Sequence, residues 1–598
     1  MEPRQPRWDL HPPLPSEEIF SVQSTLPHRK LSPLVVQLLA NRGFSEPDKI
    51  ESFLDPCDIE KLPDSLLMVG VSRAVDRIYA AITRAEKIVV YGDFDADGVT
   101  ATAVLTLALN YLGASVEPYV PHRVTEGYGL NVTALETIAG RGAKLVITVD
   151  CGISNRAEAD AAKRLGLDLI VTDHHTLPEA LPDVICINPK QHVPGCEDLE
   201  CLAGVGVAYQ LVRALVKCLK EKDPARLRGG KEMRALRDNL LGLVAIGTVA
   251  DIAPLTGANR SLVKHGLAAL ERHTLPGLRT MLEFAHVNIA EMDTERVGFV
   301  IGPRLNAAGR LDDARTAYQL LMTNSPQEAR SLAQKLEAQN RRRQAIMNSV
   351  TDQARAQAHH MDDSAEFIFL HNNSWQSEEG NPLGVVGLVA GKLADEFGRP
   401  ALVLAPGQSG DESRGSARST PDFDIVDALA QVKDLLVHFG GHSAAAGLTV
   451  KNENLKELER RLCELAVGRA NGGNTRSAHV IKADSELPLS MVTYDTLAAI
   501  NELAPFGAGN PTPLFMVKNA HVLDAFPVGD TAHIKLMLAD RTNISGTPLE
   551  AIAFRMSHKL EEIKKQRRVD VLFHVERREW RGQEHLQLRV RDLRLSQV

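Results

Sequence analysis

The residues able to do chemistry in this chain are concentrated in a few short stretches. The densest is GDFDADG, residues 92–98, where Asp93, Asp95 and Asp97 fall within five residues. Carboxylates this close repel one another and hold their protons unless a cation neutralises them. The spacing matches the start of an EF-hand loop, but position 12 of such a loop is Glu and here it is Val104. An EF-hand also follows a helix, whereas the preceding VVYG reads as a buried strand. Calcium of that type is excluded.

Polar residues follow other apolar runs in the same way. Asp150 closes LVITVD, Asp173, His174 and His175 close LIVTDHH, and Asp251 follows LLGLVAIG. One acid at a strand end commonly caps the next helix. Capping needs neither DxD nor paired histidines. Carboxylates with imidazoles and no thiolate suit Mn²⁺ or Mg²⁺ better than structural zinc. Several carboxylates can bridge two such ions about 3.5–4 Å apart, the arrangement used for phosphoryl displacement. On the anion side, FGGHSAAAG (439–447) puts Gly440 and Gly441 beside His442, and GSARS (415–419) adds Ser416 and Arg418. Small residues let backbone N–H groups approach a phosphate, and an arginine fork can clamp it. GPRLNAAGRLDD (302–313) sets Arg304, Asn306 and Arg310 among small residues. Each of these three stretches also reads as an ordinary loop. AGVGVA (203–208) lacks a third glycine and no GxxxxGK[ST] occurs, so nucleotide binding of either type is discounted.

These residues need elements to hold them. KIVVYGD, SVEPYV, AKLVITVD, LDLIVTD and DVICINP alternate with helical patterns between about residues 85 and 190. That pattern predicts a parallel sheet covered on both faces, with ligands beyond the carboxyl ends of its strands. Residues 202–290 read as helical, with a charged insertion around 221–236. Ser325 as N-cap, Pro326 and Glu328 as capping-box partner open a helix that meets no Gly or Pro before His360. At about 1.5 Å per residue it spans roughly 50 Å, a connector between lobes. The expected partition is an N-terminal segment (1–48), the parallel-sheet α/β domain (49–323), the connector helix (324–360), a second α/β domain (361–470), a linker at 470–477 and a C-terminal β-barrel (477–598).

The composition fits a globular protein, with 44% hydrophobic and 24% charged residues. The net charge of -8 would repel nucleic acid, so such a ligand needs local basic patches. Residues 551–598 supply one, with twelve Lys/Arg against seven Asp/Glu. The seven cysteines are scattered without a CxxC pair and read as reduced thiols. The N-terminus lacks the apolar core of a signal peptide and no run of about 18 apolar residues marks a membrane span. A cytoplasmic protein without a membrane partner is expected.

In order, GDFDADG, ITVDCGI, VTDHH, GTVADI, GPRLNAAGRLDD, GVVGLVAGKL, GSARS and FGGHSAAAG resemble the motifs of the DHH phosphoesterase superfamily. More narrowly they resemble its RecJ-type branch, single-strand-specific 5′-to-3′ DNA exonucleases, and PFGAGNPTPLF (505–515) with the β-rich tail resembles that branch's OB-fold domain. The resemblance implies two Mn²⁺ or Mg²⁺ ions, one on Asp95 and one on Asp97, bridged by Asp150 and completed by His174 and Asp251. Asp93 is implied either as a ligand or beside one. His175 would stand near the scissile phosphate. Ser416, Arg418 and the glycines near His442 would hold the 5′ phosphate, with Arg123, Asn306 and Arg310 on nearby phosphates. The implied activity releases 5′-mononucleotides from single-stranded DNA in repair and recombination. The implied partners are a single-strand DNA-binding protein and a helicase, and the chain would act as a monomer. A short-oligonucleotide phosphodiesterase and a pyrophosphatase share the metal centre but give the basic barrel no task. A non-catalytic DNA-binding scaffold conflicts with the complete ligand set. One departure stands out: the branch has Trp-His-x-Gly before the GVVG helix start, and here WQSEEGNPLGVVG places Pro382 at the His position.

Overall fold

The computed structural model describes residues 6–55, 58–123, 125–372, 375, 382–407, 410–471, 480–529, 532–540, 548–580 and 583–596. Most of the expected linker at 470–477 and most of the insertion before Pro382 lie outside them. Strands β1 (Lys87–Gly92), β2 (Ser115–Tyr119), β3 (Leu145–Val149), β4 (Asp168–Thr172) and β5 (Ile185–Ile187) form a wholly parallel sheet in the order β2-β1-β3-β4-β5. The apolar runs that predict these strands are buried, β3 at every residue. Between β1 and β3 the strand order reverses, which opens a crevice at their carboxyl ends.

Three helices pack together beneath that crevice: α1 (Ala96–Tyr111), α2 (Gly204–Lys222) and α3 (Lys231–Ala250). α1 leaves β1 directly, and it is buried around nearly its whole circumference. Further on, a turn of π-helix at Val297–Ile301 runs into α4 (Gly302–Leu311), which carries the GPRLNAAGR motif. The connector α5 (Pro326–His360) is continuous over 35 residues. Its Ser325 cap accepts from Glu328 N–H as expected, but the Glu328 carboxylate takes the Thr323 hydroxyl instead of closing the capping box.

The second lobe holds β6 (Ile368–His371), helix α6 (Val386–Phe397), β7 (Ala401–Pro406), β8 (Glu412–Arg418), β9 (Leu436–His442) and β10 (Ala445–Lys451). Its sheet runs β9-β10-β8-β7-β6 and is antiparallel except for the β6–β7 pair. At the C-terminus β11 (Phe515–Val528), β12 (His533–Ala539), β13 (Leu549–Ala553), β14 (Arg568–Trp580) and β15 (Gln583–Leu595) close into a barrel through the β11–β14 pairing.

The N-terminal segment is not a separate unit, and the boundary expected at 48/49 falls inside a packed region. Arg7–Leu10 pairs in parallel with Val480–Ala483, and Leu26, Val35, Leu38, Ile50 and Phe53 share the core of the barrel. Arg260, 2% exposed, ties this assembly to the first domain. It donates to the carbonyls of Phe53, Leu503 and Ala504 and lies 3.7 Å over the Phe53 ring. Carbonyl dipoles and the ring face replace the water that burial removes. No helix among the described residues is long and apolar enough to cross a membrane.

Candidate active site between two lobes

The ends of β1, β3 and β4, with the end of α3, bring Asp93, Asp95, Asp97, Asp150, His174, His175 and Asp251 together. Ligand atoms of Asp97, His174 and Asp251 lie within 4.8 Å of one another, and so do those of Asp93, Asp95 and Asp150. The two groups meet where His174 Nε2 stands 3.1 Å from Asp150 Oδ1. Asp93, the residue left open by resemblance, is therefore placed with the second group of donors.

Local geometry explains how so much charge is held. Asp95 caps α1 by accepting from Gly98 N–H, and both Asp97 oxygens accept from the first N–H groups of α2, at Gly204 and Val205. Helix starts favour such anions. A Cβ on Gly204 would lie 2.6 Å from the Asp150 side chain, so this close approach requires glycine. Asp150 itself has φ +61°, a left-handed conformation that costs a non-glycine residue energy.

Burial and mutual repulsion raise the carboxyls. Asp97 is pushed up to about 7 by burial and Asp95, and Asp251 to about 9 by burial, Asp97 and Asp95. Asp93 and Asp150 rise well above the usual carboxylate range for the same reasons. Burial and the neighbouring His175 push His174 down to about 3, which keeps its ring neutral. Asp93 Oδ1, Asp150 Oδ1 and His174 Nε2 are buried with no hydrogen-bond partner. Buried acceptors without donors, beside carboxyls that cannot ionise together, fit divalent cations. The donor set of oxygens and imidazole suits Mn²⁺ or Mg²⁺.

His175 is held differently. Asp173, 1% exposed and read from the sequence only as one of the polar residues closing its strand, accepts from His175 Nδ1 at 2.7 Å and from the backbone N–H groups of Ile153, His174 and His175. Burial lowers the His175 pKa, but the Asp173 hydrogen bond together with the charges of Asp173, Asp93 and Asp95 outweighs it, so the pKa is raised. The first residue of the DHH triplet was the available signal. Tyr128 was also missed; its ring meets His175 edge-on at 5.7 Å.

The opposite wall is cationic. His442 of β9 stacks across the cleft from His175, centroids 6.1 Å apart and planes 10° from parallel. Arg418 donates to Ser416 Oγ at 3.1 Å on β8. A Cβ on Gly387, in the first turn of α6, would meet that oxygen at 3.0 Å, so the helix start and the Ser416–Arg418 pair form one niche. Gly440 and Gly441 lie on β9 leading to His442. Arg310 donates to Gly384 O at 3.1 Å, and burial with the charges of Arg123 and Arg343 lowers it to about 9. Arg123 lies 4.8 Å over the Phe94 ring and close enough to Asp93 and Asp95 to feel their charge. Arg343 of α5, in a run of three arginines that carries no motif, is 8% exposed with an unpartnered Nε.

Two expected phosphate contacts have other tasks. Asn306 accepts from Ala96 N–H at 2.8 Å and so fixes the start of α1. Arg304 is paired with Glu337 of α5 at 2.8 Å and donates to Val300 O, which takes it out of the cationic wall. Trp375 packs in the second lobe's core and donates to Leu404 O, while Pro382 opens a 3₁₀ turn, Pro382–Gly384, against Arg310. Proline at 382 offers no imidazole to the cleft.

A parallel sheet with carboxylates and DHH at its strand ends, joined by a long helix to a second α/β lobe, defines a DHH-type phosphoesterase. Residues 87–248 match the DHH family N-terminal domain, 369–467 the DHHA1 domain and 483–592 the RecJ OB domain. The Bacillus subtilis single-stranded-DNA-specific exonuclease RecJ is 37% identical over 99% of this chain and 71% of its own length. The Escherichia coli exonuclease of that name is 33% identical over 94% of this chain and 95% of its own. The crystal structure of Thermus thermophilus RecJ with Mn²⁺ covers 99% of this chain and 80% of its own, at 28% identity and TM-score 0.81. The chain belongs to the RecJ family.

Proposed function

We propose that this protein is a two-metal exonuclease that degrades single-stranded DNA from a 5′-phosphorylated end, releasing 5′-mononucleotides. The observation that carries this reading is the facing of the walls. A paired set of cation donors on one lobe meets an arginine, serine and glycine niche on the other, with His175 and His442 stacked between them. Relatives named as single-stranded-DNA-specific exonucleases, and RecJ structures with Mn²⁺ and with Mg²⁺, support it.

Asp97, His174 and Asp251 would hold one cation and Asp93 and Asp95 the other, with Asp150, which is grouped with His174 as well as with Asp93 and Asp95, serving both. Bound cations at such a site supply a more acidic coordinated water and offset charge building on phosphorus. The chain's own groups do the rest. Ser416, Arg418 and the start of α6 hold the terminal 5′ phosphate, which sets the register at one nucleotide. Arg310 and Arg123 meet the next phosphate. His175, its Nδ1 tied to Asp173, presents Nε2 to the scissile phosphate and donates to an oxygen there. Water oxygen joins phosphorus, the P–O3′ bond breaks, and the departing 3′ oxygen takes a proton. The shortened strand then carries a new 5′ phosphate, which refills the niche. Stacking and backbone contacts on the barrel would hold the strand beyond, without regard to sequence. We further propose a cytoplasmic monomer acting in repair and recombination with a single-strand DNA-binding protein and a helicase, a reading that rests on family resemblance.

The test compares 5′-phosphorylated single-stranded DNA, duplex DNA and RNA, each with purified protein and Mn²⁺. Selective release of mononucleotides from the 5′ end of the single strand is expected. An intact single strand would refute the proposal.

A further inference from the structure

Away from the cleft, the first domain contains a cavity of about 530 Å³ between the far ends of α1, α2 and α3. Its walls are mixed: Leu112, Val212, Leu236 and Leu240 give an apolar part, and charged side chains line much of the rest. Its mouth carries Lys220, Arg234 and Arg237, exposed cations with no carboxylate in ion-pair reach among the described residues. The two acids of the lining do not neutralise them: Asp64 is taken by Lys217 at 2.6 Å, and Glu60 has no ion pair among the described residues. Beside the cavity, Gln210 is fully buried. Its Oε1 accepts from Ser65 Oγ at 2.6 Å and Arg213 at 2.7 Å. Arginine only donates, so this amide cannot be turned round, and Nε2 remains buried with no partner. Gln210 lies outside the lining, so the donors that face the cavity without a carboxylate partner are the three cations of the mouth. An occupant that satisfies them accepts hydrogen bonds and carries negative charge, while the leucine and valine part of the lining suits an apolar body.

The same three helices build the metal centre with their other ends. α1 begins at Asp95 and Asp97, α2 begins with the N–H groups that hold Asp97, and α3 ends at Asp251. At about 1.5 Å per residue, the lining runs from roughly 8 Å along α2, at Tyr209, to roughly 21 Å along α1, at Tyr111, from the ends that hold those carboxylates. Packed helices move as rigid rods, so spreading them at one end shifts them at the other. We infer that this cavity binds a small organic anion with an apolar, ring-sized body, and that its occupancy changes the affinity of the carboxylate cluster for divalent cations. The charged insertion around 221–236, which the nuclease reading leaves without a task, then supplies part of the mouth through Arg234.

The test uses the full chain and 8-anilinonaphthalene-1-sulfonate, an aromatic anion of suitable size. Fluorescence titration should show one saturable site. Arg237→Ala should weaken it at least about fivefold, Arg237→Lys should retain it, and Val216→Trp, which fills the cavity, should abolish it. Calorimetry should show Mn²⁺ affinity changed by about fivefold or more when the probe saturates, with the reciprocal change in probe affinity. Cation binding is read directly, so the result stands apart from whether the protein cleaves DNA. Arg237 is solvent-exposed, so its variants report even where Val216→Trp does not fold. Unsaturable binding, binding indifferent to Arg237→Ala, or saturation that leaves Mn²⁺ affinity unchanged would each overturn the inference.

Discussion

The two walls of the cleft are built from opposite materials and held by opposite means. The acidic wall is rigid and over-determined: its carboxylates end strands or cap helices, one sits in a left-handed backbone conformation, and buried acceptors lack donors. The cationic wall is assembled from four regions: the segment after β2 that carries Arg123, α4, the connector and the second lobe. Arg123 feels Asp93 and Asp95, while Arg310, Arg343 and Arg418 lean on serine, amide and backbone carbonyl oxygens with no carboxylate in ion-pair reach among the described residues. The first wall is strained until cations arrive, and the second is under-neutralised until phosphates do. Under the proposed function, chemistry depends mainly on one wall and substrate register on the other.

Substitutions can separate those roles. Asp150→Ala should cause the largest loss, more than ~10³-fold in kcat, with strand binding in a filter or anisotropy assay largely kept. Asp173→Asn should cost ~10²-fold in kcat with little change in KM. It should also lower the pH at which His175 loses its proton, read from the ring resonances by NMR, because the bond that holds that pKa up is weakened. On the other wall, Arg418→Ala should raise KM ~10-fold or more for 5′-phosphorylated ends while sparing strands with a 5′ hydroxyl; Arg418→Lys should recover only part of this. An equal loss on both kinds of end would remove the clamp assignment.

Without metal, Asp97 and Asp251 titrate near 7 and 9 in the fold, against about 3.8 when unfolded. Between those limits the folded chain binds more protons than the unfolded one, so stability should fall as pH rises. The thermal midpoint of metal-free protein should be lower at pH 8.5 than at pH 6, and Mn²⁺ should stabilise more at the higher pH. Arg304→Ala should give the smallest catalytic effect. It should cost about 1 kcal/mol of stability through the lost Glu337 pair, with KM unchanged, if Arg304 braces α4 against the connector.

The acidic wall was legible because it obeys a positional rule: polar residues directly after fully apolar runs mark strand ends, and strand ends mark the crevice. The five strands of the first sheet, the connector with its Ser325 cap and the barrel strands could be read from periodicity for the same reason. The cationic wall was only half legible, because a sequence shows which arginines exist and not which remain free. Arg304 is consumed by Glu337, 33 residues later, while Arg343, in a run of three arginines on a helix, reads as surface yet is buried near Arg310. Asp173 looked like part of a triplet, and its orienting role depends on a 2.7 Å contact that spacing does not reveal. The N-terminal residues carry no motif, and the strands they join lie more than 400 residues away.

The central claim is that the acidic wall holds two cations through a shared Asp150. Titrating metal-free protein with Mn²⁺ by calorimetry near pH 7, in buffers of different ionisation enthalpy, tests it directly. Two ions per chain should bind with release of protons from the raised carboxyls, and Asp150→Ala should abolish or severely weaken both. No binding by the wild type, or two ions bound by Asp150→Ala with wild-type affinity, would contradict it.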